Sequence, residues 1–228
     1  MFWFARYRSV RETDRLRLRI RLNAPGRYPS TAAAVGGWAQ QLCDRGAAAR
    51  LNFATYRPEI GRYGDGPATA AAETVFAADS YAVLAARQLP AARLLHPQSL
   101  TAIGIADIAD AFHGEDCDAA TCWLLERIPA TSAADSDRDA TRQVLFWATH
   151  PALPAGLDDA WQARRDALAR YRRSLPDATN HQQVLSGLVH MHHNRARGVD
   201  RNDEDACLHL ARRIALARRA HAAESTRR

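Results

Sequence analysis

The sequence predicts an α+β fold, in which a small antiparallel sheet from the N-terminal third packs against a mostly helical remainder. Two patterns lead to this prediction. Residues 15–22 alternate strictly between arginine and an aliphatic residue, and that alternation is the period of a β-strand. After Gly66 and Pro67, apolar residues recur at helical spacing almost to the end of the chain.

The N-terminal third is predicted to alternate short strands with one helix. Strands are expected over residues 2–8, 15–22 and 51–56, with a helix over residues 31–42. Further helices are predicted over residues 70–88, 99–112, 119–126, 142–148, 158–174, 181–194 and 203–219. Residues 129–139, rich in Ser, Ala and Asp, are predicted to form a loop.

The chain of 228 residues is long enough for one core, and we predict a single domain over residues 1–219 with a frayed tail over 220–228. Its four cysteines show no paired C-x-x-C spacing, so reduced and mostly buried thiols are expected. No signal peptide and no apolar run of membrane-spanning length are found. These features predict a soluble cytoplasmic protein that does not bind a membrane.

The net charge of +6 permits an acidic partner. All 31 basic residues are arginine, which points to coding bias, and they are spread along the chain without an aromatic-interleaved motif. We therefore predict no direct binding of nucleic acid.

The alternating strand is predicted to be half-buried, with its apolar face toward the core and its other face cationic. Leu16, Leu18, Ile20 and Leu22 would share an apolar face, opposite a cationic face formed by Arg15, Arg17, Arg19 and Arg21. The cationic face is either the solvated side of an edge strand or a site for an anion such as a carboxylate or an enolate.

Two further segments carry candidate functional groups. In the glycine-punctuated loop over residues 56–66, Arg57 or Arg62 could join the cationic face, and Glu59 could orient one of them or form a local surface ion pair. On the predicted helix over 181–194, His190 and Asn194 are four residues apart and share a face.

The histidine-rich segment also invites a metal-site interpretation, with His192 and His193 pointing away from the face of His190. No carboxylate lies on the same turn and no helical His-Glu-x-x-His pattern occurs, so we predict neither a metal nor a cofactor.

Five motifs occur together in a familiar order and spacing. They are Phe4-Ala-Arg-Tyr7, Leu16-Arg-Leu-Arg-Ile20, Tyr56-Arg-Pro-Glu-Ile-Gly-Arg-Tyr-Gly64, Ala72-Glu-Thr-Val-Phe-Ala-Ala-Asp-Ser80 and His190-Met-His-His-Asn-Arg-Ala-Arg-Gly198. On these motifs the chain resembles the C-terminal elimination domain of nisin-type lanthipeptide dehydratases. That domain also occurs as a separate protein, the thiopeptide-type bacteriocin biosynthesis domain.

The resemblance implies a lyase that acts on a ribosomally made precursor peptide. It would eliminate glutamate from glutamylated Ser or Thr to give dehydroalanine or dehydrobutyrine. A separate glutamyl-tRNA-dependent glutamylating protein is the implied partner, and the oligomeric state is left open. The implied catalytic residues are Arg17, Arg19, Arg62 and His190, and the implied substrate-binding residues are Arg6, Arg15, Arg57, Asn194 and Arg195.

Two departures from the family pattern accompany the resemblance. Met1 falls almost on the first strand, so one interpretation is that a preceding segment is missing, and Asp65 replaces a usual glycine. Two alternative functions are a pyridine-forming [4+2] cyclase of thiopeptide biosynthesis and a non-catalytic leader-peptide-binding subunit.

Overall fold

The computed structural model describes residues 1–9, 12–90, 95–114, 116–128 and 137–225. A two-stranded antiparallel sheet at the N-terminus packs against helices, so the predicted α+β class is confirmed. The elements are β1 (Phe2–Ser9), β2 (Glu12–Ile20), α1 (Tyr28–Asp44), α2 (Ile60–Tyr63), α3 (Pro67–Gln88), α4 (Pro97–His113), α5 (Cys117–Arg127), α6 (Arg138–Thr149), α7 (Asp158–Ser174), α8 (His181–Ala196) and α9 (Arg201–Ser225).

The predicted third strand is wrong. Residues 51–59 have no regular secondary structure, and Leu51 and Phe53 are exposed. Alternation alone cannot make a strand, because the backbone also needs a neighbouring strand to pair with.

The predicted burial of the apolar face of β2 is also wrong. Leu16 and Ile20 are 57% and 41% exposed, so this strand buries little on that side. The hydrophobic anchor of the sheet is β1, whose Trp3 and Phe4 are buried.

The described contacts divide the chain into two compact units. The first comprises Met1–Phe2 and Arg19–Pro58, and contains α1. In that helix Ala39 is buried while Tyr28 and Trp38 are exposed. The single elimination-type domain of the sequence analysis stays a prediction.

The second unit comprises Trp3–Leu18 and Glu59–Arg228. Helix α4 lies at its centre and packs against α5, α6, α7, α8 and α9. Small and branched residues make that position possible, since Ala102, Ile105, Ala106 and Ala109 are fully buried and let neighbouring helices approach. The final helix continues past Arg219 to Ser225.

Helix starts in this unit follow local capping rules. Asp116, Asp137 and Asn180 each accept a backbone N–H in the first turn of the helix that follows. Residues 129–136 of the predicted loop lie outside the described residues, and α6 already begins at Arg138.

A buried ionic cluster centred on Asp79 of α3 joins three elements. Its carboxylate accepts hydrogen bonds from Arg164 of α7 (3.0 Å) and Arg195 of α8 (3.0 Å), and it lies 2.7 Å from Nδ1 of His192. Burial alone would raise the pKa of the Asp79 carboxyl, but the hydrogen bond and charges of these three partners hold it well below its usual range. Arg195 also donates to the carbonyl of Phe4 (2.9 Å), so the cluster holds β1 in place.

The cysteines only partly match the prediction of buried thiols. Cys43, Cys122 and Cys207 are free thiols, of which Cys207 is buried and Cys122 is exposed. In the described ranges, no helix has both the length and the apolar character needed to cross a membrane.

Candidate active site

His190 lies on α8 and faces the first turns of α9. Its Nδ1 atom is 2.7 Å from Oε1 of Glu204, and its side chain is 53% exposed against 18% for that of Glu204. The hydrogen bond that Glu204 accepts from the imidazole raises the pKa of His190 above its ordinary value, against the opposing effects of burial and of the positive charge of Arg62. The imidazole is thus accessible to a ligand and more basic than a free histidine.

Arg62 approaches the same part of α8 from the short helix α2. A methyl group placed on Gly187 would lie 3.4 Å from Cδ of Arg62 and 3.3 Å from the hydroxyl oxygen of Tyr63. Because Gly187 is about one helical turn before His190, the missing side chain lets Arg62 lie against α8 near the imidazole.

The guanidinium of Arg62 is half-exposed and forms an ion pair with Glu59 at 3.2 Å. Glu59 is itself exposed, so the two residues form the local surface ion pair that was one of the two interpretations of Glu59 from the sequence. Such a pair contributes little to stability and leaves the arginine able to exchange Glu59 for an anionic ligand.

Tyr63 anchors the arginine to the core. Its ring is buried and lies edge-on to Phe76 with centroids 4.9 Å apart, while its carbonyl accepts the hydroxyl hydrogen of Tyr171 at 2.9 Å. Gly64 then turns the chain at φ 86° and ψ 169°, a conformation open essentially to glycine alone. The Arg62-Tyr63-Gly64 sequence therefore combines a cation, a buried anchor and a turn.

Replacing Gly64 by alanine is expected to destabilise the protein by about 1–3 kcal/mol. The new methyl group would meet Cβ of Ala68 at 2.7 Å as well as the unfavourable φ. Urea unfolding measures the effect. Gly61→Ala is the control, since Gly61 has open space and no positive φ, and equal midpoints for the two variants would contradict the prediction.

Asn194 and Arg6 are both predicted to bind substrate. In the structure the side chain of Asn194 forms two hydrogen bonds with the backbone of Arg6. The side-chain oxygen of Asn194 accepts from the backbone N–H of Arg6 (2.7 Å), and its amide donates to the carbonyl of Arg6 (2.9 Å). Asn194 thus takes the place of a neighbouring strand for β1. Burial and the charges of Arg87 and Arg197 lower the pKa of the Arg6 guanidinium.

Asn194 is four residues from His190, but the two side chains have different surroundings. Asn194 and Arg195 are buried against β1, whereas His190 is exposed beside Glu204. Asn194 and Arg195 hold β1 through hydrogen bonds to its backbone. A role of either residue in substrate binding stays a prediction.

The remaining predicted arginines are distributed over both units. Arg15 and Arg17 lie on β2 in the second unit, where the guanidinium of Arg17 is 4.2 Å from the centre of the Tyr7 ring. Arg19 and the exposed Arg57 belong to the first unit, where Arg19 lies 5.2 Å from the centre of the Tyr56 ring. Of the predicted catalytic residues, Arg62 packs against the helix that carries His190, and its positive charge acts on that imidazole.

Within the part of the chain that the structure describes, a group of potential metal ligands occurs close to this site, although none was predicted. His193, Asp203 and Cys207 offer atoms within 4.8 Å of one another. Asp203 already accepts hydrogen bonds from Nε and Nη2 of Arg197, each at 2.9 Å, and from the side-chain amide of Gln98 at 2.9 Å. Burial raises the pKa of the Cys207 thiol, which disfavours the thiolate that a metal needs. These contacts are those of a structural network.

Comparison with known proteins settles the family. The model of the family described as lantibiotic biosynthesis dehydratase C-term matches residues 1–215. The chain belongs to this family. The resemblance inferred from the five motifs is therefore confirmed.

A solved protein structure has a similar fold. The crystal structure of the tRNA-dependent lantibiotic dehydratase MibB from Microbispora sp. 107891 matches with a TM-score of 0.79 and 21% sequence identity, over 97% of this chain. The chain spans 25% of the length of MibB, and no curated protein sequence matches it. At this sequence identity, the similarity to MibB is evidence for the fold alone.

Sequence reasoning missed two residues of the site. Glu204 lies in the acidic run at the start of the last helix, where acidic residues complement the helix dipole without any tertiary partner. Gly187 attracted no interpretation, because a glycine within a helix signals close packing only when the neighbour is known. The spacing between His190 and Glu204 crosses a helix boundary, so no helical period relates them.

Proposed function

We propose that this member of the lantibiotic dehydratase C-terminal family is a lyase that eliminates glutamate from glutamylated Ser or Thr in a precursor peptide. The observation that carries the proposal is the exposed imidazole of His190 with Arg62 packed against the same helix at Gly187, about one turn away. A base and a fixed cation are the groups that such an elimination requires.

The chemistry assigns a role to each group. His190 accepts the α-proton, the electrons of the broken C–H bond form the new C=C bond, and the C–O bond to glutamate breaks. The electron pair of that bond leaves with glutamate as a carboxylate. A guanidinium would stabilise the negative charge that develops on the enolate oxygen or on the leaving carboxylate, and we assign this role to Arg62.

The remaining parts of the proposal come from sequence. Arg17 and Arg19 are proposed to assist as further cations, and the precursor peptide is the proposed substrate. MibB is described as tRNA-dependent. We propose that a glutamyl-tRNA-dependent protein esterifies the peptide before this chain acts.

The test is to incubate the purified protein with a glutamylated Ser/Thr peptide and to follow peptide mass and released glutamate. We expect loss of each glutamyl adduct with the appearance of a dehydroamino acid. Unchanged adducts with folded protein would refute the proposal. A bis-dehydroalanine peptide run in parallel would then show whether the protein forms a pyridine ring instead.

A further inference from the structure

Glu204 and His190 form a hydrogen-bonded pair in which the two side chains differ in accessibility. The carboxylate is 18% exposed and approaches Nδ1 of the imidazole at 2.7 Å, while the imidazole itself is 53% exposed. A ligand arriving from solvent therefore meets the histidine, with the carboxylate behind it.

The position of Glu204 is determined by the start of α9. Asp200 caps this helix by accepting the backbone N–H groups of Asn202 (3.0 Å) and Asp203 (3.1 Å), and its carbonyl accepts the N–H of Glu204 (3.0 Å). Asp203, next to Glu204, contacts His193 of α8 at 2.9 Å. The turn that carries Glu204 is thus tied to the helix that carries His190.

The pair has a chemical consequence for the imidazole. An ionised carboxylate can only accept hydrogen bonds, so a neutral His190 paired with Glu204 must carry its proton on Nδ1. The lone pair then lies on Nε2, the nitrogen that does not contact Glu204.

We propose that Glu204 is a positioning residue that holds His190 in the Nδ1–H tautomer and orients Nε2 as the proton acceptor of the elimination. This inference rests on the proposed function for its catalytic meaning. Charged groups act on His190 from two packed helices, Glu204 from α9 and Arg62 from α2. Glu204 stabilises the protonated imidazole of His190, and the positive charge of Arg62 destabilises it.

The experiment compares wild type with Glu204→Gln, which keeps the size of the side chain and removes its charge. The titration of His190 is followed by NMR of its ring protons, assigned by the signals that disappear in His190→Ala. We expect His190 to titrate above its ordinary pKa in wild type, and at lower pH in Glu204→Gln.

The same variants are then assayed for elimination as a function of pH. A neutral imidazole is the active form, so the wild-type rate should rise as pH passes through the raised pKa of His190. In Glu204→Gln the rise should begin at lower pH, and the plateau of kcat should fall about 10- to 100-fold, with KM for the peptide little changed. Glu204→Asp should recover part of the loss.

Glu126→Gln is the matched control, because Glu126 is an exposed glutamate on α5. An active wild type with equal titration of His190 and an equal plateau in Glu204→Gln would overturn the positioning role alone. A wild type that does not eliminate glutamate would refute the proposed function, and with it the catalytic meaning of the pair. In that case, the NMR titration still reports whether the pair exists.

Discussion

His190→Ala is expected to lower the rate of glutamate elimination by about 10²- to 10⁴-fold, the usual contribution of a general base. The loss should appear in kcat, because the imidazole acts on the proton in transit and contributes little to holding the peptide. Single-turnover assays with a glutamylated peptide measure it, and glutamyl adducts should persist in the variant.

The protein is expected to stay folded in that experiment. His190 is half-exposed, so replacing it by alanine opens space to solvent and creates no buried cavity. His221→Ala, which removes an exposed histidine near the end of α9, serves as the control and should keep the wild-type rate. A His190→Ala variant with more than a tenth of the wild-type kcat would exclude His190 as the base.

Asp79→Asn is expected to lower the free energy of unfolding by about 3–5 kcal/mol, because it removes the shared anion of a buried ionic cluster. The guanidinium of Arg195 would then lose its carboxylate partner in the core, and that of Arg164 would keep only Asp107, at 2.9 Å. Since Arg195 also holds the carbonyl of Phe4, β1 should lose protection from hydrogen exchange together with the core.

Urea unfolding near pH 7 measures the loss, with Asp14→Asn as the matched control. Asp14 pairs with Arg8 on the exposed side of the sheet, so its replacement should leave the midpoint within error of wild type. Equal urea midpoints for Asp79→Asn and Asp14→Asn would contradict the predicted contribution of the buried cluster to the free energy of unfolding.

The buried cluster around Asp79 also makes the stability of the protein depend on pH, in a direction that the pKa of Asp79 determines. The pKa of Asp79 is lower in the folded protein than its usual value, so its contribution is present above the usual carboxyl range and is lost as the pH falls below it. The difference in stability between wild type and Asp79→Asn should therefore narrow in acid.

The sequence alone determined the class of the fold and the positions of most helices. Helix α7 has the predicted bounds, Asp158–Ser174, because its apolar period and its acidic first turn are local properties. The family and the candidate residues His190 and Arg62 were also accessible from sequence, since their motifs are short, contiguous stretches of chain.

Burial and partnership were decided by tertiary structure. The stretch over residues 51–56 has the alternation of a strand but no strand in the structure, and Leu16 lies on an exposed face that its pattern predicted to be buried. His190 and Asn194 share a helix and a spacing, yet one meets the carboxylate of Glu204 and the other the backbone of β1. Period and propensity act between residues near in sequence, whereas pairing, desolvation and the pKa of His190 depend on what a distant segment brings alongside.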